Sequence, residues 1–157
     1  MNRIESKPTN NSATNVWQLH DWERQFGPID SQEALERMIR ELPESGSPPN
    51  RIVDLESPNG DKLSFGIAGP NDGDNRTLTQ ALACVQFTNA SLDPPYLIPV
   101  GDASLNYENG GVLVFHYDGS WTEILRRNCV PLEAMIRIAQ HFYQNGTLPT
   151  WIAWEEA

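Results

Sequence analysis

The side chains in this sequence equipped to act on a substrate or hold a metal are three histidines, two cysteines and a run of loop carboxylates. His116 stands two residues before Asp118 in an apolar segment, and side chains two apart on a strand share a face. The pair could therefore present two metal ligands, but a zinc site takes at least three from the protein. No other histidine or cysteine falls at ligand spacing. A partly buried strand histidine beside a turn aspartate is the stronger reading. His141 lies near the end of a helical segment, where a cation complements the dipole. His20 sits between Leu19 and Asp21 in a stretch without periodicity. Cys84 and Cys129 have apolar neighbours (Ala83, Val85 and Val130), which predicts buried reduced thiols rather than a disulfide framework. Asn71-Asp72-Gly73-Asp74-Asn75 has the composition of part of a calcium loop but lacks the distal glutamate and flanking helices, so it reads as a solvated loop. GxSxG, CxxC, HExxH and Walker spacings are missing. The expectation is a protein that binds rather than turns over, with no catalytic residue, cofactor or metal.

Charge and size narrow the classes further. The 157 residues carry a formal net charge of −10, which repels phosphate backbones and disfavours direct nucleic-acid binding. The same field attracts basic proteins, although acidity also serves plain solubility. Hydrophobic and charged fractions of 39% and 20% are ordinary for a globular domain. No apolar run reaches the length of a membrane span, and the polar start lacks the apolar stretch of a secretory signal. Cytoplasmic localisation is the expectation. The division expected is a flexible tail over 1–15 and a single domain over 16–157.

The elements that would carry these residues make an α+β fold. Val16 to Phe26, with Trp17 and Trp22 among charges, reads as either a short strand or an irregular packed segment. The spacing of Leu35, Met38, Ile39 and Leu42 predicts a helix over 31–42, with Asp30 as N-cap and Glu33 completing a capping box. Arg51–Glu56 and Asp61–Ala68 form a hairpin around Ser57-Pro58-Asn59-Gly60, and Leu63, Phe65 and Ile67 give it one buried face. Further strands are expected at 81–88, 96–100, 112–117 and 121–125, the last two joined by Asp118-Gly119. A helix from Pro131 to Asn145 ends at Gly146, and 151–154 reads as a short strand. The prediction is a largely antiparallel sheet of about five to six strands packed with an N-terminal and a C-terminal helix.

From Trp121 onward the residues resemble a known pattern. Val130-Pro131-Leu132-Glu133-Ala134, the helix reaching His141-Phe142, then Asn145-Gly146-Thr147-Leu148-Pro149 and Ile152-Ala153-Trp154-Glu155 are similar to the C-terminal signature of an immunity-protein family. That family belongs to bacterial polymorphic toxin systems and is often paired with nucleic-acid deaminase toxins. A weaker likeness covers Asp30 to Ala68. The resemblance implies a non-catalytic protein that neutralises a cognate, basic toxin by occlusion, with oligomeric state open. It places the signature at Gly146, Pro149 and Trp154, residues that cap, stiffen and cover and so serve the fold. Toxin contacts are then expected on acidic loops, at Asp72, Asp74, Asp93, Asp102 and Glu108, with Glu155 and Glu156 behind them. Trp121, after a tight turn, and Trp151, past Pro149, are the aromatic anchors. Two other readings stay open: a generic protein-interaction module, and a small metal-dependent hydrolase using His116 and Asp118.

Overall fold

A computed structural model describes residues 16–21, 23–42, 50–69, 78, 80–100 and 111–157. The tail 1–15 and the loop residues Asp72, Asp74, Asp102 and Glu108 lie outside the described residues. Strands β1 (Trp17–His20) and β2 (Gln25–Ile29) form a hairpin, followed by helix α1 (Gln32–Glu41). Strands β3 (Val53–Glu56), β4 (Lys62–Ala68), β5 (Leu82–Thr88) and β6 (Leu97–Pro99) come next. A second hairpin, β7 (Val112–Tyr117) and β8 (Ser120–Leu125), leads through a 3-10 turn to β9 (Cys129–Pro131), α2 (Leu132–Asn145) and β10 (Trp154–Glu156).

The strands order as β10-β6-β5-β4-β3-β1-β2, with β9 also pairing with β5, while β7 and β8 stand apart as their own two-stranded ribbon. All pairings between these strands are antiparallel. The α+β class and the hairpins hold, but the strand number exceeds the five to six expected. The extra strands come from short, aromatic or charged segments whose pairing lacks a clean alternation: β1, β2 and β9.

Period-two alternation divides the sheet between two cores. Leu63, Phe65 and Ile67 face α1 and α2, meeting Leu35, Ile39, Met135, Ala139 and Phe142. Ala68, Leu82 and Cys84 face the opposite way, onto Leu113 and Phe115 of the ribbon. The molecule is thus layered as helices, sheet and ribbon. Contact between sheet and ribbon is made possible at Gly66, where a Cβ would stand 2.9 Å from Phe115 Cδ1 and 3.0 Å from Ile52 Cγ1.

Two boundaries differ from expectation. The N-cap of α1 is Ser31, with extended φ and ψ of −161° and 160°, rather than Asp30. Its Oγ accepts from Ala34 N at 3.0 Å, so Glu33 falls one position short of a capping box and acts only through the helix dipole. The terminal strand is β10, not 151–154. Trp154 Nε1 donates to the Pro149 carbonyl at 3.1 Å, closing residues 149–154 into a loop before pairing with β6 begins.

Candidate functional site

The surface that could meet a partner is best followed from the ribbon. Asp118 and Gly119 take φ of 52° and 80°, the left-handed conformations of a two-residue turn whose twist matches the flanking strands. That turn sets the register Val112↔Leu125, Val114↔Glu123 and His116↔Trp121. Phe115 and Leu113 point inward with their partners Thr122 and Ile124, so the alternate residues make an outer face. It carries Val112, Leu125 and Trp121, the last 58% exposed, around the single carboxylate of Glu123. The His116 ring lies against Trp121, with centroids 3.7 Å apart.

Trp151 is also exposed, at 51%, but belongs to the helix side. The Arg137 guanidinium lies 5.4 Å from its ring centroid, and the hollow around it is lined by Gln32, Gln140, His141 and Gln144. The sheet therefore lies between the two exposed tryptophans. Asp93 is exposed in the loop before β6, where Asn89 Oδ1 accepts from its main-chain N–H at 3.3 Å. Glu155 is engaged internally: it accepts from Asn128 Nδ2 at 2.8 Å and pairs with Arg127 at 3.3 Å. Glu156 is exposed at the end of β10.

The signature residues act on the fold. Gly146 adopts φ 72° and closes α2 through its N–H to the Phe142 carbonyl at 2.7 Å. Pro149 is buried, and half-buried Trp154 packs onto the helix-side core while bonding Pro149.

Several polar groups escaped the sequence reading. Asp21 Oδ1 accepts from the N–H groups of Glu23 and Arg24, both at 2.7 Å, and Oδ2 from Arg51 Nη1 at 2.9 Å. Burial pushes the Asp21 carboxyl up, but the Arg51 and backbone hydrogen bonds outweigh it and hold it below its ordinary value. Arg51 also reaches Glu23 at 2.9 Å, tying the β1–β2 turn to the segment before β3. His20 Nε2 lies 2.8 Å from Glu56 Oε1. Arg51 and Glu56 lie 30 and 36 residues from Asp21 and His20, so no local signal marks those pairs. The outer ribbon face did carry a signal, the alternation Trp121, Glu123, Leu125 along β8.

Among the described residues no group of three His, Cys, Asp or Glu is placed to hold a metal ion. Cys84 and Cys129 are free and buried; burial lifts the Cys129 thiol to about 12, and the Cys84 thiol well above its usual value. Both are therefore protonated, with no thiolate to attack a substrate. None of the helices in the described residues is long and apolar enough to cross a membrane.

The model of the immunity protein Imm1 family matches residues 27–156, and the chain belongs to that family. Immunity proteins bind and neutralise a cognate toxin, and as a class they act without catalysis. No curated protein matches the chain.

Proposed function

We propose that this protein neutralises a nucleic-acid deaminase toxin of a polymorphic toxin system, in the cytoplasm, by covering the toxin's substrate groove. The match to the Imm1 family over 27–156 carries the reading. Charge supports its finer part: a deaminase that acts on nucleic acid needs a basic groove, and a chain of net charge −10 complements one. Occlusion needs shape and charge complementarity but no turnover, in keeping with buried, protonated cysteines and a surface of aromatic and acidic groups. Asp93 and Glu156 are exposed acids that could contribute, whereas Glu155 is held by Asn128 and Arg127.

The test is co-expression with the toxin encoded beside it, followed by purification and a deamination assay on single-stranded substrate. Growth rescue, a stable complex and loss of deamination with added protein are expected. Rescue of a toxin with another activity would sink the deaminase assignment. Lack of association would sink the neutralising role.

A further inference from the structure

The free edge of β8 can be deduced from its paired one. The turn makes Tyr117 and Ser120 a pair, and at the far end Arg126 N donates to the Gly111 carbonyl at 2.7 Å. In an antiparallel ladder, pairs that exchange hydrogen bonds alternate with pairs that do not. Leu113/Ile124 and Phe115/Thr122 are therefore bonded, while Val112/Leu125, Val114/Glu123 and His116/Trp121 are not. β7 obeys this rule: His116 N donates to Asn50 O at 3.1 Å, and its carbonyl accepts from Ile52 N at 2.7 Å, both away from β8. On β8, the N–H and C=O groups of Trp121, Glu123 and Leu125 likewise point away from β7. No described strand pairs with them there; the Leu125 carbonyl, however, is taken at the N-cap of the 3-10 turn Arg126–Asn128 and also receives a weak contact from Cys129 Sγ at 3.7 Å.

Open edges invite pairing, and natural sheets blunt them with proline, charge or shortness. The large sheet does so at both ends. β2 carries Pro28, which lacks an N–H, and β10 has three residues, two of them glutamates. β8 has six residues, no proline and one charge, Glu123. Beside it opens a cleft of about 420 Å³, lined mainly by apolar groups such as Ile52, Leu92, Ile98 and Ile124, with Lys62 and Glu123 as its charged residues.

We infer that an extended segment of the toxin adds to β8 as a further strand, placing apolar side chains in the cleft and a basic one opposite Glu123. Main-chain hydrogen bonds would supply affinity and the alternating side chains specificity. The charge argument chooses this occupant over a second copy of the chain. Two β8 strands paired antiparallel through all three outward-bonding residues, Trp121, Glu123 and Leu125, would centre on Glu123 and set it opposite itself, which like charges disfavour. A basic residue from the toxin turns the same position into an attraction. The inference rests on the toxin-binding reading.

Amide hydrogen exchange of the full chain, resolved residue by residue by NMR with and without an inactivated toxin, tests it. Thr122 and Ile124, already bonded to β7, should exchange slowly in both states. Trp121, Glu123 and Leu125 should become protected only in the complex. Glu123→Pro removes an outward N–H without touching the β7 ladder, and should weaken binding roughly tenfold beyond Glu123→Gln, which removes the charge alone. A complex that forms without new protection at these three amides overturns strand addition and leaves toxin binding intact. No complex at all removes the toxin-binding reading and the inference with it. Protection that grows with protein concentration in the absence of toxin assigns the edge to a second copy and overturns the heterologous occupant.

Discussion

The ring of Phe115 rests on the backbone of Gly66, so close that a Cβ there would meet Phe115 Cδ1 at 2.9 Å. Gly66→Ala should therefore push the ribbon off the sheet, at a cost of about 1–3 kcal/mol. Phe115→Ala, which empties the fully buried ring site, should cost about 3–5 kcal/mol. Urea denaturation reads both. A Gly66→Ala variant as stable as the wild type would mean that ribbon and sheet are not seated by this contact.

Acid should weaken the fold through Asp21. Its carboxyl lies below the ordinary value in the folded state, because the Arg51 and backbone hydrogen bonds prevail over burial. The stabilisation is then complete above the unfolded value of about 3.9 and is lost as pH falls toward the lowered folded one. Asp21→Asn should remove this part of the acid limb from the stability profile. Asp21→Ala should cost about 3 kcal/mol at neutral pH, the low end for a broken buried pair, since Glu23 still holds Arg51. Stability measured from pH 2 to 7 checks both.

The thiols should be silent in the native protein. With Cys129 at about 12 and Cys84 raised as well, the thiolate fraction at pH 8 is negligible. Iodoacetamide should label neither until denaturant is added, after which both should react, as followed by mass spectrometry. Rapid native labelling would show that the ribbon opens often.

Removal of Trp121 and of Trp151 should have unequal consequences for toxin binding. Trp121→Ala takes an anchor from the ribbon face and should weaken binding by roughly 10- to 100-fold, the range of an interface hot spot. Trp151→Ala, on the helix side, should leave affinity unchanged. Calorimetry with an inactivated toxin compares them. Equal losses would place the contact elsewhere.

The C-terminal signature should be felt as stability alone. Gly146→Ala forces a side chain into φ 72° and should cost about 1 kcal/mol. Trp154→Phe, which loses the bond to Pro149, should cost about 1 kcal/mol with toxin affinity retained. Thermal melts alongside binding curves separate the two effects.

What could be read from the chain follows the range of the signal. The helix stripe Leu35, Ile39 and the turns at Asn59-Gly60 and Asp118-Gly119 are local, and the structure has them. Ser31 took the cap from Asp30 because two adjacent capping residues look alike until backbone angles choose between them. β1 and β2 were undecidable because Trp17 owes its burial to Phe142 and Tyr143, more than a hundred residues away, with centroids 5.1 and 5.2 Å from its ring. A separation of 30 residues hid the clasp of Asp21 with Arg51 as well. Glu155 is expected from the sequence as a contact residue, and nothing local announces Asn128 and Arg127 as the groups that hold it. Trp121 and Trp151 were rightly expected to be exposed, but only the layering shows that they look in opposite directions.

The two cores on either side of the sheet have a consequence for how such a protein can change. Leu35, Phe65 and Phe142 hold the helix side, while Leu113, Phe115 and Cys129 hold the ribbon. Substitutions on the outer ribbon face touch neither set. If the toxin is met there, recognition can drift residue by residue as an opposing protein drifts, while the packing that makes the chain foldable stays as it was. The outer face of the ribbon is then a replaceable edge on a fixed body.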